Sequence, residues 1–455
     1  MMQAFLSVLR GRGAAHCGFC SVICCAAERG RYAISKKRIR LSNHYLQKPD
    51  PYSIILPLIL KREYALPDDM QKKRIFISAC EPSADSHCAK LITAFNEANT
   101  RREFHPAGIE WVGVGGEKMA GAGCDILAET TSKAAMLHNA FGQVRFYYKL
   151  LKQINTYFEE NKVDLVVVCD SPAFNFHVAR IAKKHGVKVL FYVAPQLWAW
   201  AAWRIWKLRM FCDKLACILP FEEEWFNTRG VETVFVGNPL FDDLGPDLEA
   251  NRREYANFDP WAGQIALFPG SRNAEIKKLW PAMQRVAMSI QDSWPRTKFV
   301  VTAASQEKLQ MLMDREVRGF NCRYTIGDVV SASMEVDLAL VASGSATLQV
   351  AAAGCPMIIM YQSSRFLWHL VGRWLVKTRF LSLVNILAGR EIAPEFMPYF
   401  TSTKPIEQAC NSLLSSKLRL MKISSELISL VAPLATQRAS ENVANIAIEM
   451  MRPEP

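Results

Sequence analysis

From Lys73 onward, short apolar runs alternate with longer segments of helical period. Arg74-Ile75-Phe76-Ile77-Ser78, Glu110–Val114, Asp164–Cys169, Lys188–Val193, Lys214–Ile218 and Thr233–Val236 read as strands, because apolar and β-branched residues fill them and polar or small residues bound them. Between them, Ser86–Asn96, a segment through Lys118 and Met119, Gly142–Glu160 and Ala173–His185 have the spacing of helices. Strands alternating with helices imply a mainly parallel, doubly wound α/β sheet.

The stretch from Phe241 to Trp261 is polar and contains Pro246 and Pro260, so it reads as a hinge. Beyond it the scheme repeats, with strands at Ile265–Phe268, Lys298–Thr302, Leu338–Val341 and Met357–Tyr361, and then a helical tail from Pro405 to Met451. Four regions follow: residues 1–70, a first domain over 71–245, a second over 260–404, and C-terminal helices over 405–455 that pack back on the body. At 455 residues the chain exceeds what one core supports, which agrees with two α/β domains facing a cleft.

Composition refines this picture at the N-terminus. Residues 1–70 lack sustained periodicity and carry 11 basic against 5 acidic residues, about half of the chain's net +12. They read as a leader or an upstream start, outside the fold, with Met70 a second candidate start. The modest positive surplus suits a nucleic acid, an anionic membrane or a phosphorylated substrate equally. No recognised nucleic-acid module accompanies it. Of the 13 cysteines several, Cys169, Cys212, Cys217 and Cys355, fall inside apolar elements, as in a reducing compartment, and the Cys17-x₂-Cys20 pair has no partner pair at zinc spacing. No apolar run reaches the roughly 18 residues of a spanning helix.

Candidate chemistry sits where strands end. Pro269-Gly270-Ser271-Arg272 follows the strand ending at Phe268, and Ser343-Gly344-Ser345-Ala346-Thr347 follows the strand through Val341. Small residues let backbone approach a ligand, a helix N-terminus offers free N–H groups to phosphate, and Arg272 adds a forked, fixed charge suited to a diphosphate. Asp170 directly follows a strand and reads either as a base projecting into the cleft or as a cap of the helix that begins near Pro172. Glu81 and Asp85 lie on a neighbouring strand-end loop, where Asp85 serves either an acceptor or its own helix.

Taken in order, these loops resemble the lipid-A-disaccharide synthase family. Ala79-Cys80-Glu81-Pro82-Ser83-Ala84-Asp85 is similar to A-G-E-x-S-G-D, Gly113-Val114-Gly115-Gly116 with Met119 to G-x-G-G…M, and Asp170-Ser171-Pro172-Ala173-Phe174-Asn175 to D-x-P-D-F-N. Pro195-Gln196-Leu197-Trp198-Ala199-Trp200, Leu219-Pro220-Phe221-Glu222, Pro269 to Arg272 with Glu275, the Ser343 loop, and Ser382 to Arg390 complete the series. Departures are Cys80, Ala84, Leu137, Ala140, Ala173, Asn238, Gln349 and Val384, of which Gln349 replaces a family Glu that would grip ribose hydroxyls more strongly.

The resemblance implies a GT-B fold with two Rossmann-like domains, and an inverting transfer from UDP-2,3-diacylglucosamine to 2,3-diacylglucosamine 1-phosphate (lipid X) that gives a β-1,6-linked disaccharide phosphate and UDP. It implies Asp170 as base and Arg272 as leaving-group clamp. Glu81, Ser83, Asp85, Gly115, Asn175, Gln196, Trp198, Gly270, Ser271, Glu275, Ser343, Gly344, Ser345, Thr347, Gln349, Asn385 and Arg390 are the expected substrate-binding residues. With no Asp-x-Asp motif, no metal and no cofactor are expected. Other readings are a GT-B transferase with a soluble acceptor, a UDP-sugar epimerase, and a non-catalytic lipid- or nucleotide-binding relative.

Lipid substrates imply a cytoplasmic enzyme held at the inner face of the cytoplasmic membrane, and leave a homodimer open. Arg365–Lys377 and Met136–Leu151 combine aromatic, aliphatic and cationic residues and read either as interfacial helices or as amphipathic helices of the core. Trp198, Trp200, Trp203 and Trp206 with Arg204, Lys207 and Arg209 either line an acyl groove or pack.

Overall fold

The structure is a computed structural model that describes residues 72–101, 108–131, 140–244, 252–255, 258–365, 368–369 and 378–452. The first domain opens with β1 (Lys73–Ala79) and α1 (Pro82–Arg101), then β2 (Ile109–Gly115), α2 (Glu117–Gly121) and β3 (Cys124–Glu129). It continues through α3 (Ala140–Glu160), β4 (Leu165–Cys169), α4 (Pro172–Lys184), β5 (Lys188–Tyr192), α5 (Ile205–Phe211), β6 (Lys214–Cys217), α6 (Pro220–Asn227) and β7 (Thr233–Phe235). The seven strands are ordered β3-β2-β1-β4-β5-β6-β7 and all pair in parallel. Central strands such as β4, Leu-Val-Val-Val-Cys, are apolar throughout because helices cover both faces, and a separate apolar cluster lies on each side.

The second domain contains β8 (Gln264–Phe268), α7 (Asn273–Ser293), β9 (Lys298–Ala303), α8 (Gln306–Met313), β10 (Arg323–Ile326), α9 (Val329–Met334) and β11 (Leu338–Ala342). After α10 (Ala346–Ala352) and β12 (Met357–Met360) come α11 (Leu383–Ala388) and β13 (Glu395–Phe396). Its parallel strands are ordered β10-β9-β8-β11-β12-β13.

The tail divides. Helices α12 (Lys404–Leu414) and α13 (Lys417–Ala435) bury Ile406, Cys410, Leu420 and Leu427 in the second core, whereas α14 (Ala439–Met451) returns to the first domain and packs along α1. The two crossings are clipped together: Asp242 accepts hydrogen bonds from the N–H of Ala439 at 2.8 Å and of Ser440 at 3.0 Å. The expected hinge is thus partly structural, since Phe241 and Tyr255 are buried in the second core.

In each sheet the order reverses once, between β1 and β4 and between β8 and β11. Ligands of doubly wound folds bind outside the carboxyl ends of the strands at such reversals. The loops there carry Glu81 and Asp170 in the first domain, and Arg272 and Ser343 in the second. Residues 1–70, Met136, Leu137 and most of Arg365–Lys377 lie outside the described residues; Arg365, Trp368 and His369 of that segment are described.

Candidate active site

Asp170 ends β4 in a tight backward turn. Asp170 at φ 51° and Ser171 at φ 43°, ψ 58° both adopt the left-handed conformation, which costs non-glycine residues about 1–2 kcal/mol each. The turn is held from three sides. Asp170 N–H donates to the Tyr192 carbonyl at 3.0 Å, while the Asn175 amide donates to the carbonyls of Cys169 at 2.9 Å and Asp170 at 2.8 Å. The Ser78 hydroxyl completes the set by donating to Asn175 Oδ1 at 2.7 Å.

Asn175 is therefore fully buried and committed to the turn, not open to substrate as expected. The capping alternative for Asp170 also fails, because the N-cap position of α4 belongs to Ser171, whose buried hydroxyl has no partner among the described residues. Burial raises the Asp170 carboxyl above its ordinary range; the Ser171 N–H opposes this, Glu81 adds to the rise and Arg272 opposes it. Asp170 thus feels charges from both domains.

On the neighbouring loop, Glu81 is half-exposed and its carboxylate lies 3.7 Å from the Arg272 guanidinium across the cleft. Ser83 is exposed in the first turn of α1. Asp85 does neither of the two things expected of it: buried, it caps α2, accepting from the N–H groups of Gly116 at 2.8 Å, Lys118 at 3.1 Å and Met119 at 3.3 Å. Gly115 is a packing position as well, since a Cβ there would stand 2.4 Å from Met119 Sδ.

In the second domain, Gly270 has φ 99° and a Cβ would stand 2.6 Å from Glu275, so only glycine fits the turn. Ser271 is exposed, and Arg272 is the N-cap residue of α7 with its side chain 72% exposed. Glu275 aims it: one oxygen accepts from Arg272 N–H and the other from the guanidinium, both at 3.3 Å. Glu275 is consequently a cap and an orienting group, where sequence reasoning expected a substrate contact.

Ser343 is half-buried, with its N–H bonded to the Met360 carbonyl; Gly344 and Ser345 are exposed, and Gln349 is half-buried on α10. Thr347 is fully buried and donates to the Gly344 carbonyl at 2.7 Å, so it shapes the loop and does not face a ligand. Asn385 is likewise buried; its amide donates to Ala393 and Glu395 and accepts from Ile392 and Ala393. Arg390 pairs with Glu426 on α13 at 3.0 Å. Both fasten the region between β12 and the tail.

Gln196 is exposed on the loop after β5, and Trp198 donates its indole N–H to Glu222 at 2.9 Å. Ser78 and Glu222 escaped the sequence reading of the site. A hydroxyl in the otherwise apolar Ile75–Ala79 run was the available signal for the first. Among the described residues no three His, Cys, Asp or Glu side chains form a metal-ligand group.

What the arrangement offers is a carboxylate of raised basicity facing a guanidinium across a gap between two Rossmann-like domains. That combination suits displacement of a diphosphate by a hydroxyl. A family model described as lipid-A-disaccharide synthetase matches residues 75–450. The lipid-A-disaccharide synthase of Geobacter metallireducens is 30% identical over 83% of this chain and 97% of its own, and that of Syntrophus aciditrophicus is 31% identical over 84% and 99%. Among solved structures, a Staphylococcus aureus MnaA–UDP co-structure superposes with a TM-score of 0.53 at 13% identity, covering 83% of this chain and 95% of that one, a likeness of fold. The chain belongs to the lipid-A-disaccharide synthase family, glycosyltransferases of the GT-B fold that act in lipid A biosynthesis.

Proposed function

We propose that Asp170 is the base and Arg272 the leaving-group clamp in transfer of 2,3-diacylglucosamine from its UDP donor to 2,3-diacylglucosamine 1-phosphate. The acceptor hydroxyl oxygen attacks the anomeric carbon, its proton passes to Asp170, and the bond to the diphosphate oxygen breaks on the opposite face. Charge arriving on the diphosphate meets Arg272 and the N–H groups opening α7, so the chain itself supplies the cation here. Gly270, Ser271, Ser343, Gly344 and Ser345 line the donor side, and Glu81, Ser83 and Gln196 the acceptor side.

The observation that carries this reading is the 3.7 Å approach of Arg272 to Glu81, which brings the two domains' charged loops into one site beside Asp170. Glu81 lies beside the guanidinium that the diphosphate would claim. Release of UDP from the diacylated donor tests the roles. Asp170→Asn is expected to keep UDP binding and lower turnover by about 10²–10⁴-fold, and near-normal turnover rejects the base. Arg272→Ala is expected to weaken UDP binding too.

The acyl chains require a bilayer contact, and we assign it to the first domain. No described helix is long and apolar enough to span a membrane. Trp200, Trp203, Trp206 and Met210 are nonetheless exposed at 43%, 65%, 44% and 59%, with Arg204 stacked over Trp200 and Trp203 and Lys207 over Trp206. Val144 and Tyr148 are exposed on α3, which like α5 packs on α4. Exposed aromatics interleaved with cations suit an anionic interface at the inner face of the cytoplasmic membrane.

A further inference from the structure

Residues 193–201, between β5 and a 3₁₀ turn at Ala202–Arg204, form no regular element. Val193 at φ 63° and Ala201 at φ 62° are left-handed at its two ends. Val193 N–H bonds to the Ala216 carbonyl, but the bonds within the segment are local, from Leu197 to Pro195 and from Ala199 to Gln196, so side-chain tethers are needed to fix it against the body. Leu197 provides an apolar one by being buried. The polar one is Trp198.

The Trp198 indole N–H donates to Glu222 Oε1 at 2.9 Å, and its ring meets Phe221 edge-on at 4.9 Å. Glu222 itself is 1% exposed, and its other oxygen accepts from the Leu219 N–H at 3.1 Å, capping the N-terminus of α6. A capping glutamate ordinarily sits at the surface, where its charge stays hydrated. Here the cap has been taken into the interior, where burial pushes the carboxyl up to about 7 against the opposing hydrogen bonds from Trp198, Leu219 and Ile218. The neighbouring titratable groups are the Cys217 thiol, which burial raises with Glu222 and Glu223 adding to it, and Glu223, which accepts from the Phe235 N–H. No cation is among the causes of the shift.

The loop leaves the sheet beside the Asp170 turn, since Asp170 N–H bonds to Tyr192, the last residue of β5. Gln196 projects from it two residues before Trp198. We infer that Glu222 is a positioning residue for the acceptor: through Trp198 it fixes the 193–201 loop at the rim of the cleft. This rests on the assignment of the Asp170 side as the acceptor side.

The test is a double-mutant cycle of Glu222→Gln and Trp198→Phe in the full chain, with acceptor KM, kcat and UDP affinity measured for each. An amide offers one acceptor oxygen where donors reach both oxygens of the carboxylate, so Glu222→Gln loses at least one bond while nearly keeping the volume. The expected result is a rise in acceptor KM of about tenfold, UDP affinity unchanged, and a double variant no worse than Trp198→Phe alone. In the wild type the acceptor KM is expected to fall as pH rises through 7 and the carboxylate ionises; both single variants should flatten that dependence. Additive effects, an unchanged acceptor KM, or a parallel loss of UDP affinity overturns the proposal. If Glu222→Gln does not fold, Trp198→Phe probes the same bond from its other end, and an unaltered pH dependence of KM in that variant is equally fatal. Failure of the site assignment is separable: it would appear as turnover surviving Asp170→Asn.

Discussion

Asn175 gives a quantitative handle on how the fold holds its base. The Asp170-Ser171 turn carries two left-handed non-glycine residues, a cost of about 2–4 kcal/mol in total. Asn175 offsets it with two donated bonds and one accepted, each contributing about 1 kcal/mol net, or about 3 kcal/mol together. Asn175→Ala should therefore destabilise the first domain by about 3 kcal/mol, since it leaves the Ser78 hydroxyl and a pair of buried carbonyls short of partners. For a domain of this size that corresponds to a fall of about 6–12 °C in its melting transition. Freed of its tether, the turn should relax and take Asp170 away from the acceptor, lowering kcat by at least about tenfold with UDP affinity intact. Calorimetry and UDP release on the same preparation read both effects. Ser171→Gly is the control, expected to hold or raise stability by up to about 1 kcal/mol, because glycine relieves the left-handed strain. A collapse in turnover with an unchanged melting transition would mean that Asn175 touches substrate after all, and a loss of stability with full turnover would mean that the turn does not set the base.

Asp170 titrates under the influence of both cleft charges, and the signs differ. Its raised carboxyl should place the acid limb of kcat/KM above the ordinary carboxylate range; Glu81→Gln should move that limb to lower pH, and a shift to higher pH refutes the coupling. His87, facing Tyr192 with Nδ1 unpartnered, is pushed down to about 4 by burial. A base depressed in the fold stabilises it fully above the unfolded value near 6.5 and loses that contribution as pH falls toward 4, by about 3 kcal/mol. His87→Leu should flatten the stability curve over that window, and an unchanged slope would exclude His87 as the cause. At the proposed bilayer contact, Trp203→Ser with Trp206→Ser should release the protein from phosphatidylglycerol vesicles in a sedimentation assay while leaving UDP binding unaltered. Undiminished cosedimentation would place the contact elsewhere.

Interior strands were legible because burial on both faces writes them as unbroken apolar runs, as in β4 and β11. The strands that periodicity did not reveal are β3, β10 and β13, all at sheet edges and half-exposed, where Cys-Asp-Ile-Leu-Ala-Glu or Arg-Tyr-Thr-Ile need not be apolar. The strand-end loops were legible because two Gly-Ser turns recur in one α/β half, each directly after an apolar run, where parallel sheets place their ligands. What the sequence could not separate was a polar residue facing a ligand from one facing the loop that holds the ligand. Asp85, Asn175, Glu275, Thr347 and Asn385 are all of the second kind. Their partners are mostly backbone groups: those of Asp85 are brought near only by the fold, and those of Asn175, Glu275, Thr347 and Asn385 lie mainly in the same loop, whose shape spacing alone does not give. Gly115 belongs with them, since its small size serves Met119.

The clip at Asp242 means that the two halves of this molecule cannot be excised at the point where the polypeptide first passes between them. A fragment ending there would lack α14, uncovering the parts of α1, β4 and β5 against which this helix packs. A helix that follows the second domain in the chain is thus a structural part of the first, whose outer layer closes only after the intervening domain has been made.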